Sequence, residues 1–372
     1  MQAINLHHLD MSLEDKVKEA AEALDAHAVE IVKYHFSPET GCKFWLDWAD
    51  EQDWSPAEEI TCFADVLEKF PNFQDEWLRD LQPGVWVPKE KEGHPFNIFE
   101  TGGTTGMPKQ RIGWNDYKVD YSEFSETLND DHFPKEHFWI MVGPTGPRRL
   151  RLAIEHLANV RGCSCYFVDL DPRWVKRLIK EGQGEQAKAY MEHVVDQATT
   201  IMKHREVSAV FTTPKLLEAI AERFEEEGSS LYDAGVRGVF CGGTTMDPQY
   251  VRFLTEELLE NKIGFVPVYG NTLMGLAKPK PLGPEDKFSI TYHAPQPRAV
   301  LRVVNPETNK SVEYEDWGRV ELTTLTKEFF MPRFLERDEA MRRPPTDLYP
   351  WDGVAEVRPF GAMQKKIVEG VY

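Results

Sequence analysis

The stretch FETGGTTGMPKQR, residues 99–111, decides how the rest of the chain is read. Thr101, Thr104 and Thr105 alternate there with Gly102, Gly103 and Gly106, and Lys109 follows within three residues of the last glycine. Glycine has no Cβ, so such a backbone can bend sharply and approach a ligand closely. Three hydroxyls, the backbone N–H groups and one ammonium together suit a polyphosphate. The spacing is not that of the strand-entering loop G-x-x-x-x-G-K-[ST], nor of G-x-G-x-x-G. The alternative reading is an ordinary glycine-rich surface loop.

Composition narrows the function classes. The chain has 372 residues, 41% of them hydrophobic and 12% aromatic, with a net charge of −19. That length accommodates two domains or one large α/β domain with extensions. The negative charge disfavours nucleic acid and anionic membranes as partners, because both attract Lys/Arg stripes. The first residues, MQAINLHHLDMSLED, carry no basic segment followed by an apolar one. No run of eighteen apolar residues is present. The five cysteines are odd in number and scattered, so a cytoplasmic protein with reduced thiols is expected. Cys163 and Cys165 read as core thiols, since no second ligand pair lies near, and Cys241 reads as packing rather than as a nucleophile. No metal ligand is assigned.

Working outward from the loop, residues 1–95 read as a helical N-terminal part. Ser12 with Asp15 resembles a capping box, and Val17, Ala20, Leu24, Ala28 and Ile31 follow at helical spacing. Trp45, Trp48, Trp54 and Trp77 make this part aromatic, either as packing or, less simply, as a pocket lining. Residues 96–280 read as an α/β nucleotide-binding core. Strands are predicted at 137–143, 164–170, 207–211, 236–240 and 264–270. Helices are predicted at 147–160, from Asp171-Pro172, at 185–204, from Pro214 and from Asp247-Pro248. Such alternation implies a parallel sheet with helices packed on it. GGTTM (242–246) and YGNTLMG (269–275) then fall at carboxyl ends of strands, where ligands bind. Arg148, Arg149 and Arg151 read as a solvated helix face, with contact to an anion as the alternative. Residues 281–372 read as a β-rich subdomain and tail, with strands at 299–305 and 318–325.

The order of these segments resembles the adenylate-forming superfamily of acyl-CoA synthetases, peptide-synthetase adenylation domains and luciferases, and within it the phenylacetate-CoA-ligase branch. The resemblance covers roughly residues 95–360. It implies the α/β fold of the large N-terminal domain, with mixed and parallel sheets and packed helices. The family loop Thr-Ser-Gly-Thr-Thr-Gly-x-Pro-Lys stands here as TGGTTGMPK, with Gly102 in place of serine. The resemblance therefore assigns ATP phosphate contact to Thr101, Gly103, Thr104, Thr105, Gly106 and Lys109. Gly242, Gly243 and Thr244 match the adenine-side segment. Tyr269, Gly270, Asn271 and Thr272 match Tyr-Gly-x-Thr-Glu, with Tyr269 beside adenine and Thr272 at the α-phosphate. The glutamate that helps hold Mg2+ in the family is Leu273 here. Either Asp338 or Asp347 takes the place of the ribose-binding aspartate.

The family continues for about a hundred residues as a mobile lid, and the sequence stops at Tyr372, so a missing lid or one supplied by another chain is expected. The whole sequence is similar to the lidless adenylating enzymes of phenazine antibiotic tailoring. The resemblance implies an aromatic carboxylic acid, such as a phenazine carboxylate, converted to an acyl-AMP and passed to a downstream reductase. A homodimer is implied by the branch alone. Two other readings remain open here: a non-catalytic nucleotide- or acyl-adenylate-binding protein, and a CoA ligase served by a separate lid protein.

Overall fold

The structure, a computed structural model, describes residues 11–102, 107–243 and 245–361. The described chain gathers into two compact units. The first comprises the residues up to 74, 84–94 and 291–355; the second comprises 75–83, 95–290 and the residues from 356.

The first unit opens with helix α1 (Leu13–Phe36), whose N-cap Ser12 accepts from the Asp15 amide. The predicted spacing holds, and Leu24, Ala28, Ile31 and Val32 are buried. Short helices α2 (Lys43–Asp50), α3 (Pro56–Glu59) and α4 (Phe63–Lys69) follow. Trp45 is 2% exposed, packs on Phe36 with centroids 5.3 Å apart, and donates to the Phe330 carbonyl at 3.2 Å. Trp48 stacks on Phe70 at 5.3 Å. These tryptophans are core packing. His35, also buried, contacts the Thr326 carbonyl through Nε2 at 2.8 Å, and burial pushes its pKa down to about 4.

The second unit holds the α/β core. After the one-turn helix α5 (Trp77–Asp80), strands β1 (Asn97–Glu100) and β2 (Gln110–Gly113) pair as an antiparallel ribbon around the loop that opened the sequence reading. Helix α6 (Asp116–Glu126) leads to β3 (Phe138–Gly143), α7 (Arg149–Val160), β4 (Ser164–Asp169), α8 (Pro172–Lys180) and α9 (Gly184–His204). There follow β5 (Val207–Thr212), α10 (Pro214–Glu226), β6 (Gly238–Gly242), α11 (Pro248–Arg252), β7 (Gly264–Asn271) and β8 (Gly275–Pro279).

Strands β4, β3, β5, β6 and β7 lie side by side and parallel, and β8 returns antiparallel to β7. Every residue of β5 is buried, as a strand covered on both faces requires. Strand β6 runs two residues beyond its predicted end, because Cys241 and Gly242 continue the ladder onto Pro267 and Val268. A Cβ at Gly242 would meet Val268 Cγ2 at 2.7 Å, so the close approach there needs glycine. The core beneath the sheet is aromatic: Phe133 and Phe240 pack at 4.4 Å, and Trp139 and Phe240 at 5.4 Å.

The chain then supplies the strands of the first unit: β9 (Thr291–His293), β10 (Ala299–Val304), β11 (Trp317–Leu325), β12 (Phe330–Arg343) and the start of β13 (Gly353–Pro359). Pairing is antiparallel for β10 with β11, β11 with β12, and β13 with β9. The expected β-rich character is present, and β12, which the sequence did not announce, is its longest strand.

Candidate active site

A cavity of about 330 Å³ opens in the second unit at the carboxyl ends of the parallel strands. It is lined by Val142 and Gly143 at the end of β3, by Phe211 and Thr212 at the end of β5 with Thr213 just beyond, and by Gly242 at the end of β6 with Gly243 just beyond. The position follows from topology. From β3 the chain crosses to β4 on one side, then returns past β3 to β5 on the other. The two connections diverge, and such a switch point leaves a crevice outside the strand ends. Register brings these ends level: Gly143 pairs with Asp169, Thr212 with Cys241, and Gly242 with Val268.

The β7–β8 hairpin forms another wall. Val268, Gly270, Asn271, Thr272, Gly275 and Leu276 all line the cavity. Its three-residue turn is tied down from several sides. Asn271 Oδ1 accepts from the amides of Leu273 (2.9 Å) and Met274 (2.8 Å), an Asx turn. Thr272 Oγ1 donates to the Glu100 carbonyl at 2.9 Å, and Arg111 donates to the Leu273 carbonyl. The Thr272 proton is therefore already in use, and a phosphate contact would need its hydroxyl to turn. Tyr269 falls between two lining residues, pairs with Ala277, and does not itself line the cavity. Leu273 is 1% exposed, so its side chain belongs to the core.

Of the glycine-threonine loop, Thr101 and Gly102 line the cavity beside Glu100. Gly103, Thr104, Thr105 and Gly106 lie outside the described residues, as does Thr244. The loop is pinched at its base, where the Thr101 amide donates to the Lys109 carbonyl and Thr101 Oγ1 accepts from the Lys109 amide, both at 3.0 Å. Lys109 is 5% exposed and is not among the lining residues. Its Nζ lies 3.2 Å from Asp75, which also holds Arg79 at 2.6 Å. Burial alone would raise the Asp75 pKa, but the two cations outweigh it and hold the carboxyl below the usual range. The expected phosphate contact thus requires Lys109 to leave a carboxylate.

Asp338 and Asp347 both belong to the first unit. Asp338 is half-buried within β12, and Asp347 is an exposed loop residue paired with Lys16 at 2.7 Å. Burial raises the thiol pKa of Cys241, and that of Cys165 to about 12, so neither is an activated nucleophile. Among the described residues no cluster of three His, Cys, Asp or Glu could hold a metal. Glu100 is the one carboxylate lining the cavity, and it is paired with Arg173 at 2.8 Å. With Leu273 in the core, these residues do not fit a protein-held Mg2+. No described helix is long and apolar enough to cross a membrane.

Sequence reasoning did not separate Arg149 from its two neighbours. Arg148 and Arg151 are exposed as expected, but Arg149, at the first position of α7, is 4% exposed and lines the cavity. The turn before it is tight, with Arg148 at φ +72°, and swings the side chain inward. Arg149 Nη1 lies 3.1 Å from Asp116, which also binds the fully buried Arg111. Burial would raise the Asp116 pKa, yet the charges of Arg111 and Arg149 bring it below the usual carboxylate range. An isolated arginine between two exposed ones carries no periodic signal; its burial depends on the turn geometry.

No protein-family model matches the chain, and no curated protein matches its sequence. Solved structures do match. An open conformation of 2-hydroxyisobutyryl-CoA ligase, in complex with 2-HIB-AMP and CoA, aligns with a TM-score of 0.65 and 13% identity over 91% of this chain and 68% of the ligase chain. The same ligase in its postadenylation state with R3-HIB-AMP gives 0.64 and 14% identity, over 91% and 67% of the two chains. The chain has the fold of this ligase. The match spans about two thirds of the ligase's length, and the expected α/β class with mixed and parallel sheets and packed helices is the one observed.

Proposed function

We propose that this chain activates a carboxylic acid with ATP, giving an acyl-AMP and pyrophosphate. The observation that carries the reading is convergence: Thr101-Gly102, Gly242-Gly243 and Gly270-Asn271-Thr272, distant in sequence, meet in one cavity at the carboxyl ends of a parallel sheet. The fold is shared with a ligase solved with an acyl-AMP, which supports the same class of chemistry. An acid oxygen attacks the α-phosphorus, the new P–O bond forms, and the bond to the β-phosphate breaks as pyrophosphate leaves. A carboxylate is already a nucleophile at neutral pH, so the protein's task is positioning and charge neutralisation. Thr101, the loop glycines and Lys109 would serve the phosphates, and Thr272 the α-phosphate.

Tyr121, Phe211, Val268 and Leu276 give the cavity apolar walls, which favour an aromatic acid, and the resemblance to phenazine-tailoring enzymes names a phenazine carboxylate. A downstream reductase would then consume the acyl-AMP. The test is exchange of labelled pyrophosphate into ATP with benzoate, 2-naphthoate or phenazine-1-carboxylate as the acid. Acid-dependent exchange is expected; none with any of them, with or without the pathway reductase, refutes the reading. The buried Leu273 and the Lys109–Asp75 pair favour a second reading, an adenylate-binding protein without catalysis. Mass spectrometry for newly formed acyl-AMP separates the two, and thioester formation on adding CoA would reveal a full CoA ligase.

A further inference from the structure

The structure assigns a role to Arg149: we propose that it binds the carboxylate of the acid. The residue is 4% exposed and lines the cavity. Nη1 is taken by Asp116, while Nε and Nη2 are buried with no hydrogen-bond partner among the described residues. Nε and Nη2 form one edge of the guanidinium, the fork that meets both oxygens of a carboxylate. Leaving such donors unsatisfied in a buried place is costly, so an anion arriving there recovers an interaction the free protein lacks.

That edge packs against Gly275. A Cβ at 275 would come 2.9 Å from Nη2 and 3.2 Å from Asp120 Oδ2, so only glycine leaves the edge unobstructed. Gly275 itself lines the cavity. Asp116 pairs with the arginine and Asp120 approaches the same point beside Gly275, so the site carries little excess positive charge, which suits a carboxylate better than a triphosphate. The surroundings point the same way: the guanidinium lies 5.5 Å from the Phe99 ring centroid, and Tyr121, Leu150 and Leu276 line the same cavity.

This inference rests on the adenylation reading for the identity of the anion, and the test separates the two. Calorimetry without ATP compares phenazine-1-carboxylate, 2-naphthoate and benzoate with their neutral amides on the intact chain. At least one acid is expected to bind at least tenfold more tightly than its amide. Arg149→Gln is expected to abolish that preference while leaving ATP affinity within twofold. Arg149→Lys, which keeps the charge but loses the fork, should weaken acid binding and raise the acid KM in pyrophosphate exchange with little change in kcat. Equal binding of acids and amides, binding of none of the acids, or an Arg149→Lys protein with wild-type acid affinity overturns the proposal. So does loss of ATP affinity in place of acid affinity, which would give Arg149 to the phosphates. The wild-type comparison stands even where a variant fails to fold. Arg149-dependent acid binding without exchange would refute adenylation alone; exchange with an unchanged acid KM in Arg149→Gln would refute this inference alone.

Discussion

Gly270 and Gly275 lie on opposite strands of the hairpin that closes one wall of the cavity. A Cβ on Gly270 would overlap the Gly275 carbonyl oxygen, and Gly275 has φ +105°. Gly270→Ala and Gly275→Ala are each expected to cost at least about 1–3 kcal/mol by urea unfolding. Gly146→Ala, with nothing within 4 Å of the added atom, should stay within about 0.5 kcal/mol. Equal stability of all three would refute the close packing. Lys109→Ala should weaken ATP binding at least tenfold by calorimetry; unchanged affinity would leave Lys109 as a structural partner of Asp75. At this scale the strand-end glycines and the YGNTL turn were legible, because tight turns demand glycine and asparagine and so mark the sequence. Arg149 was not, because nothing in a run of arginines tells which one turns inward.

Among the elements, the start of α1 was legible, because its Ser12 cap and its apolar spacing as far as Ile31 both leave local traces; its end at Phe36 was not marked. Strand β12 was not. Register shifts against β11 and positive φ at Arg333 break its alternation, Pro332 interrupts it, and the pairings that hold it are non-local. One buried group in α1 ties the first unit to pH. The unfolded chain takes up a proton at a histidine below about pH 6.5, whereas His35 in place resists until about pH 4. Unfolding is therefore favoured as pH falls through that window, and stability rises with pH across it. Between pH 7 and 5.5 the loss from this residue should be about 1 kcal/mol. His35→Gln should flatten that part of the urea-unfolding profile; an unchanged slope would place the dependence elsewhere.

Over the whole molecule, a net charge of −19 and a pI near 5.1 set colloidal behaviour. Solubility measured by turbidity is expected to fall to a minimum near pH 5 and to recover on either side, because repulsion between copies vanishes there. ATP together with the correct acid should raise Tm in a concentration-dependent way. The α/β class and the succession of strands were legible, since strand and helix alternate cleanly from β3 to β7. The lateral order was not: that β4 lies outside β3, so that the crevice opens between diverging connections, is decided by pairing across the sheet. The placement of Leu273 also limits which side chains position 273 can accept. With that side chain packed inside and its carbonyl held by Arg111, Leu273→Glu alone would sink a carboxylate into the interior. An acidic side chain at this position would therefore need its surroundings rebuilt first.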